Sequence, residues 1–386
     1  MGSQPPVSSW PARPERAWVV IAGGGTAGHV TPALAIAGAL VDAGHDPASI
    51  RFLGSRRGME RHLVPEAGYA LTLLPGRGIV RRPDPANLAA AAGLLGATVA
   101  AGVLLGRWRP AVVVSVGGYA AAPGVVAALL WRVPVVLAEA NAVPGAVNRI
   151  AGPFAAAAAV AFPGTPLPRA VVTGNPIRAS MAAVERSPEA RRRALGALGY
   201  PGDVRLVVVA GGSLGAGRLN EATLGVAQRF AERAGLAVHH VVGERNAAEL
   251  ARRCPQLPPG GLIYRQVAFE PRMDLVYAAA DLAVHRAGAN TVAELAAAGV
   301  PSLLVPLPGS PGDHQRHNAA ALAAAGGAVV VDDAALDADR LATELDRLLA
   351  APERLDRMGV AAATLAVPDA AARVAAVVEA HSRRPR

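Results

Sequence analysis

His29 follows the glycines Gly23, Gly25 and Gly28 in the stretch WVVIAGGGTAGHVTPALAIAGAL. An apolar strand, G-x-G-x-x-G and an apolar helix together make the dinucleotide-binding fingerprint, whose small residues let backbone approach a diphosphate. An imidazole at the start of that helix has no use in hydride transfer. It suits the deprotonation of a hydroxyl, because histidine titrates near neutral pH. The structural alternative is a helix cap or packing residue. A second glycine-rich turn, Gly211, Gly212, Ser213 and Gly215, offers backbone N–H groups and a hydroxyl ahead of another helix. That is either an anion site or a plain tight turn. In HRAGANTVAELAAAGVPSLLVP, Ala289 to Thr291 start a helix after Gly288 and place Glu294 in its first turn. Glu294 there either favours the helix dipole or grips the two hydroxyls of a ribose. Arg178 and Arg286 are the cations available to neutralise a diphosphate, or else surface charges.

An NAD site also wants an acidic residue at the end of its second strand. Here IRFLG runs into Ser55, Arg56 and Arg57, with no carboxylate before Glu60. The arginines suit NADP, so an oxidoreductase stays open on these residues alone. The nine histidines form no H-E-x-x-H. Asp337-Ala-Asp339 resembles a metal-binding D-x-D, but it precedes RLATELDRLL and is read as a helix start. With no metal and no cofactor expected, a diphosphate leaving group must be stabilised by helix dipoles and arginine.

Short apolar strands must position these groups. They are expected at Trp18–Ala22, Ile50–Leu53, Ala70–Leu74, Ala111–Val116, Val133–Ala138 and Ala170–Thr173, with helices between most of them. The pattern restarts at RLVVVAGGSLGAGRLNEATLGVAQRF, with further strands near Ala237–Val242, Leu262–Arg265, Leu282–His285, Ser302–Pro306 and Ala328–Val331. Such alternation predicts an α/β fold of two doubly wound, Rossmann-like domains, with ligands at the carboxyl ends of their parallel sheets in a cleft between them. The expected limits are a disordered tail over 1–16, domains over 17–174 and 175–368, and a C-terminal helix over 369–386 that crosses back to the first domain.

Composition agrees with a large folded enzyme. The chain has 386 residues, 52% of them hydrophobic, which excludes wholesale disorder. Its 38 basic residues are all arginine and leave a net charge of +9. No basic run with interleaved aromatics and no zinc-finger spacing occurs, so nucleic acid is not expected as a partner. Cys254 is the sole cysteine, so no disulfide framework exists. The stretch Leu88–Gly106 carries no charge, yet its Ala and Gly content and its place between strands favour a buried or half-buried helix over a membrane span. Arg81, Arg82, Arg107, Arg109 and Trp108 flank it and suit an anionic membrane surface.

The blocks GGGTAGHVTPALA, GGYAAAPG, EANAVPG, GNPIR, AGGSLGA, RAGANTVAELAAAGVPSLLVPLP and GDHQRHNA occur in this order from about Trp18 to the last helix. Together they resemble the MurG family, the GT-B-fold N-acetylglucosaminyltransferases of bacterial peptidoglycan synthesis. The resemblance implies transfer of GlcNAc, with inversion and no essential metal, from UDP-GlcNAc to the C4 hydroxyl of MurNAc in lipid I. The product is lipid II. It implies a peripheral enzyme at the cytoplasmic face of the cell membrane, with lipid I taken by the N-terminal domain and UDP-GlcNAc by the C-terminal one. By the same resemblance, Thr26, Ala27, Gly28 and Asn141 meet the transferred sugar or acceptor, and His29 is the leading general base. Arg178 and Ser213 contact the donor diphosphate, and Glu270 lies near the uracil through its backbone. Ala289, Asn290 and Thr291 present a helix N-terminus to the phosphates, Glu294 holds the ribose, and Gln315 touches the donor sugar. The glycine-rich loop then serves a diphosphate-linked acceptor.

Two positions depart from the family's common pattern. Ala138 stands where histidine is usual, and Leu214 where glutamine is common. Both bear on acceptor and donor preference. The alternatives are a UDP-sugar transferase on another lipid or natural-product acceptor, a sugar-nucleotide epimerase, or an NADP-dependent oxidoreductase.

Overall fold

The computed structural model describes residues 16–75, 86–212 and 216–383, with backbone alone for 86–91. The expected tail, Arg81, Arg82, Ser213, Leu214 and Gly215 lie outside the described residues, apart from Arg16 at the end of that tail.

Among the described residues, thirteen strands form two sheets. The first contains β1 (Val19–Ala22), β2 (Ile50–Ser55), β3 (Ala70–Leu74), β4 (Val112–Ser115), β5 (Val135–Glu139), β6 (Ala157–Val160) and β7 (Ala170–Val172). Its order is β3-β2-β1-β4-β5-β6-β7. The second contains β8 (Arg205–Ala210), β9 (Leu236–Val241), β10 (Ile263–Val267), β11 (Leu282–His285), β12 (Ser302–Leu304) and β13 (Ala328–Val330), in the order β10-β9-β8-β11-β12-β13. β1 pairs in parallel with β2 and β4, and β8 with β9 and β11. The strand order of each sheet therefore reverses beside its first strand, which is where such sheets bind ligands.

The strands are apolar on both faces because helices cover both. In β8, Leu206 and Val208 join one core and Val207 and Val209 another. That double burial gives the continuous apolar runs of the sequence. β6 is absent from the sequence expectation. It reads Ala-Ala-Ala-Val, and only its burial at the centre of four fully covered positions marks it as a strand.

Two compact units emerge. One comprises Met1–Ala138, Ala146–Ala158 and Ala375–Arg386; the other comprises Glu139–Gly145 and Ala159–Val374. In the first, the end of the last helix, Ala370–Ala380, is held by His45 Nε2 and Glu379 Oε1 at 2.9 Å, and Arg383 N–H donates to Ala111 O at 3.0 Å.

The helix Ala86–Trp108 is half-buried. Ala97, Ala101, Leu105 and Trp108 face inward at helical spacing, whereas Leu95, Val99 and Val103 are each more than 60% exposed. Gly102 and Gly106 make room for the Trp131 ring, whose Nε1 donates to Gly102 O at 2.8 Å. Among the described residues no helix is long and apolar enough to cross a membrane.

Candidate functional site

In the first unit the site is built at the carboxyl end of β1. Gly23, Gly24 and Gly25 all have positive φ, and a Cβ at Gly23 would collide with Val116. Glycine is required for this turn. The helix Ala27–Asp42 follows, pinned to the sheet by Val30, Ala33, Ile36, Ala37 and Leu40. Thr26 is its N-cap residue, but no side-chain cap bond forms. Instead Thr26 Oγ1 lies 3.4 Å from His29 Nδ1, and His29 N–H donates to Thr26 O at 3.1 Å. The His29 ring lies over the backbone of Gly117 and Gly118: a Cβ at either glycine would stand 3.5 Å from it. At Gly118 a Cβ would also come within 2.7 Å of Gly24 O. Thr26, Ala27, Gly28 and His29 thus form one short segment braced against the turn after β4.

That segment has a support that motif reading did not supply. Glu60, 1% exposed, accepts from Gly25 N–H at 2.7 Å, Ser55 N–H at 2.7 Å and Ser55 Oγ at 2.9 Å. One loop N–H is therefore already engaged and is withdrawn from any bound phosphate. Buried Asn148 accepts from Ser115 Oγ at 2.8 Å and donates to Ala138 O at 3.3 Å, tying the ends of β4 and β5. Ala138, the first departure from the family pattern, is a buried residue of β5.

In the second unit the helix Ala289–Ala298 begins directly after β11, as the sequence predicts, and ends at Gly299 with left-handed φ. Burial of Val292 and Leu295 contributes about 1.5–3 kcal/mol each. The Arg186 guanidinium secures its far end by donating to Gly299 O, and to Ala280 O at 2.6 Å. Glu294 falls in the second turn of this helix, not the first, so the dipole does not account for it. Its carboxylate lies 3.8 Å from Arg178 NH2. Burial pushes the Glu294 carboxyl up to about 7, against the opposing pull of Arg178. Arg178 itself stays 45% exposed.

Polar side chains link the rest of this cluster. Asn175 Nδ2 donates to Asn290 Oδ1 at 2.9 Å. Gln315 Oε1 accepts from Ala287 N–H at 3.1 Å and Leu307 N–H at 2.9 Å, which leaves its amide nitrogen as the donor end. Asn318, fully buried, donates to Asn141 Oδ1 and Ala287 O and accepts from Ala142 N–H. Asn141 is thereby fixed within the second unit, by Asn318 and by Glu139, which also accepts from Gly145 N–H. Asn175 and Asn318 lie inside GNPIR and GDHQRHNA, beside Arg178 and Gln315. Their burial was invisible in one dimension.

The expected role of Arg286 looks different in three dimensions. Arg286 is buried and committed: NH2 lies 2.7 Å from Asp333 Oδ1, and NH1 donates to Val305 O at 3.1 Å. It is an internal ion pair rather than a diphosphate ligand. Glu270 turns its carboxylate inward, accepting from Arg272 N–H at 2.9 Å and lying 3.4 Å from His239 Nε2. That is compatible with the expected contact through its backbone. Asp337 caps its helix through Arg340 N–H at 2.8 Å, so the D-x-D is helix-start chemistry.

Residues 19–160 match the glycosyltransferase family 28 N-terminal domain, and residues 206–374 match the family's C-terminal domain. The chain belongs to glycosyltransferase family 28. It is 43% identical to a UDP-N-acetylglucosamine–N-acetylmuramyl-(pentapeptide) pyrophosphoryl-undecaprenol N-acetylglucosamine transferase of Streptomyces avermitilis, over 91% of this chain and 95% of that one. A protein of the same description from Mycobacterium tuberculosis is 43% identical over 92% of this chain and 87% of its own. The crystal structure of Acinetobacter baumannii MurG superposes with a TM-score of 0.73 at 28% identity, covering 95% of this chain and all of that one. The two parallel sheets are those of this family's fold, and the chain is a hexosyltransferase.

Proposed function

We propose that this protein transfers N-acetylglucosamine from UDP-GlcNAc to the MurNAc C4 hydroxyl of lipid I, forming lipid II. The observation that carries this reading is 43% identity with a transferase of that name across nearly the full length of both chains. The residues present suit the chemistry. His29 takes the acceptor proton, with Thr26 Oγ1 beside its Nδ1 to orient the ring. Thr26, Ala27 and Gly28 let the acceptor approach close to backbone. In the second unit, Glu294 receives the ribose hydroxyls. Arg178, the helix start Ala289–Asn290–Thr291 and Ser213 stabilise the departing UDP diphosphate. Gln315 and Asn141 orient the sugar, and the backbone at Glu270 reads the uracil. The first domain, 17–174, takes lipid I and the second, 175–368, takes UDP-GlcNAc.

The exposed Leu95, Val99 and Val103, with Leu130 and Trp131 on the neighbouring helix segment, suit peripheral docking on an anionic membrane carrying the acceptor. Arg107, Arg109 and Arg132 add positive charge at the ends of these two helices.

The test is transfer itself: purified protein, UDP-GlcNAc and a short-chain lipid I analogue, with chelator present. The expected result is UDP and the β-linked disaccharide. UDP-GlcNAc binding without product would redirect the reading to another acceptor. NADPH binding in place of UDP-GlcNAc binding would replace it with an oxidoreductase.

A further inference from the structure

We propose that Glu60 is a positioning residue for transfer: its buried carboxylate acts as an internal anion that occupies the glycine-rich loop and sets the place of His29. This rests on the reading of His29 as the base.

The loop after β1 has the form that receives a pyrophosphate in dinucleotide enzymes. Here it holds a carboxylate of its own chain. Glu60 Oε2 accepts from Gly25 N–H at 2.7 Å, and Met59 N–H donates back to Gly25 O at 3.4 Å. Gly25 is thus held from both sides, one residue before the helix cap Thr26. The other oxygen, Oε1, accepts from the backbone and hydroxyl of Ser55 at the end of β2. Ser55 Oγ in turn accepts from Tyr119 OH at 2.8 Å. Tyr119 adjoins Gly117 and Gly118, the turn on which the imidazole rests. One carboxylate therefore fixes both the residue leading into the His29 segment and the surface behind its ring.

The glycines confirm that this place is built for the carboxylate. A Cβ at Gly24, Gly54 or Gly58 would overlap Glu60 Cδ, Cγ or the carboxylate oxygens. Gly54 and Gly58 lie outside G-x-G-x-x-G, so a dinucleotide motif gives no reason for them. A cradle for Glu60 does. A buried anion with three charge-assisted donors is a rigid device, and a shift of about 1 Å in a catalytic group costs on the order of a hundredfold in rate.

Two variants test this, Glu60→Gln and Ser55→Ala. In Glu60→Gln the amide NH2 must face an N–H donor, so one anchor is lost at constant volume. The expected result is a fall in kcat of about 30-fold, in line with a sub-ångström displacement. The KM for UDP-GlcNAc should stay within about twofold, since the donor unit is untouched. Ser55→Ala keeps the backbone anchor and should lose about fivefold by the same argument; it carries the test if Glu60→Gln does not fold. Each variant is also made in a His29→Ala background. Acting through His29, Glu60 should cost nothing further there. Wild-type kcat in both single variants overturns the proposal. So does an equal loss with and without His29, or a KM that rises in step with the fall in kcat. A wild-type protein that fails to transfer to lipid I overturns the functional reading instead, and an active His29→Ala overturns the base assignment; both are read without any Glu60 variant.

Discussion

The two units start from the same pattern, a buried strand, a glycine-rich turn and a helix, and put it to different uses. After β1 the turn is filled from within by Glu60, and the helix it leads into presents an imidazole. After β11 in the second unit, no internal carboxylate takes the corresponding place among the described contacts; a half-exposed arginine and a carboxyl raised by burial stand beside the helix start. The second unit also buries three histidines as neutral hydrogen-bonding groups. Burial lowers His239, takes His240 down to about 3 and His285 to about 4. Under the proposed function, similar backbone supports a rigid proton-transfer post in one unit and an anion and ribose site in the other. Side chains packed beneath the loops make the difference.

The comparison breaks most sharply at His29. His29→Ala is expected to lower kcat by about a hundredfold or more while UDP binding persists, as for loss of a general base. Steady-state kinetics alongside UDP titration checks this, and normal turnover would remove the distinction between the units.

Glu294→Ala should act on the other side of the comparison, raising the UDP-GlcNAc KM by about tenfold or more with a smaller change in kcat, through loss of a charged acceptor for two hydroxyls. Its protonation sharpens the test. The ribose hydroxyls donate, so binding wants the ionised carboxylate. In wild-type protein the donor KM should fall as pH rises through about 7, and this dependence should vanish in Glu294→Gln. Stability moves the opposite way. The folded value lies above the ordinary 4.5, so the unliganded protein's contribution from this group is full below about 4.5 and is lost as pH rises through about 7. A donor KM that ignores pH would separate Glu294 from the ribose.

The smallest expected effect concerns the apolar face of the first unit. Val99→Glu with Val103→Glu should weaken binding to anionic vesicles by about fivefold, since a side chain of that size is worth about 1.5 kcal/mol only when fully buried and shallow immersion at an interface recovers a part of it. Sedimentation with vesicles measures it. The melting temperature should barely move, because both residues are already exposed. Unaltered vesicle binding would deny this face a membrane role.

Much of the fold was legible because double burial writes strands as apolar runs. β1, β8 and β11 are plain in the sequence for that reason, and the helix expected after Gly288 does start there. β6 was not, since three alanines carry almost no strand preference and became a strand through their neighbours. The site divides along a similar line. His29 and Glu294 stand out by residue type within glycine-rich or helix-start contexts, and Gln315 enters only through the family resemblance. Arg286 looked equally available, but only packing reveals its pairing with Asp333.

The sequence by itself determined the α/β alternation, the repeated strand–turn–helix unit, and the family through seven ordered blocks. Local spacing and burial pattern are properties of one dimension. Tertiary structure decided which charged groups are spent inside the protein and which are left for substrate. Glu60, Asn318 and Arg286 find partners far along the chain. A hydrogen bond between residues distant in sequence leaves no spacing to read.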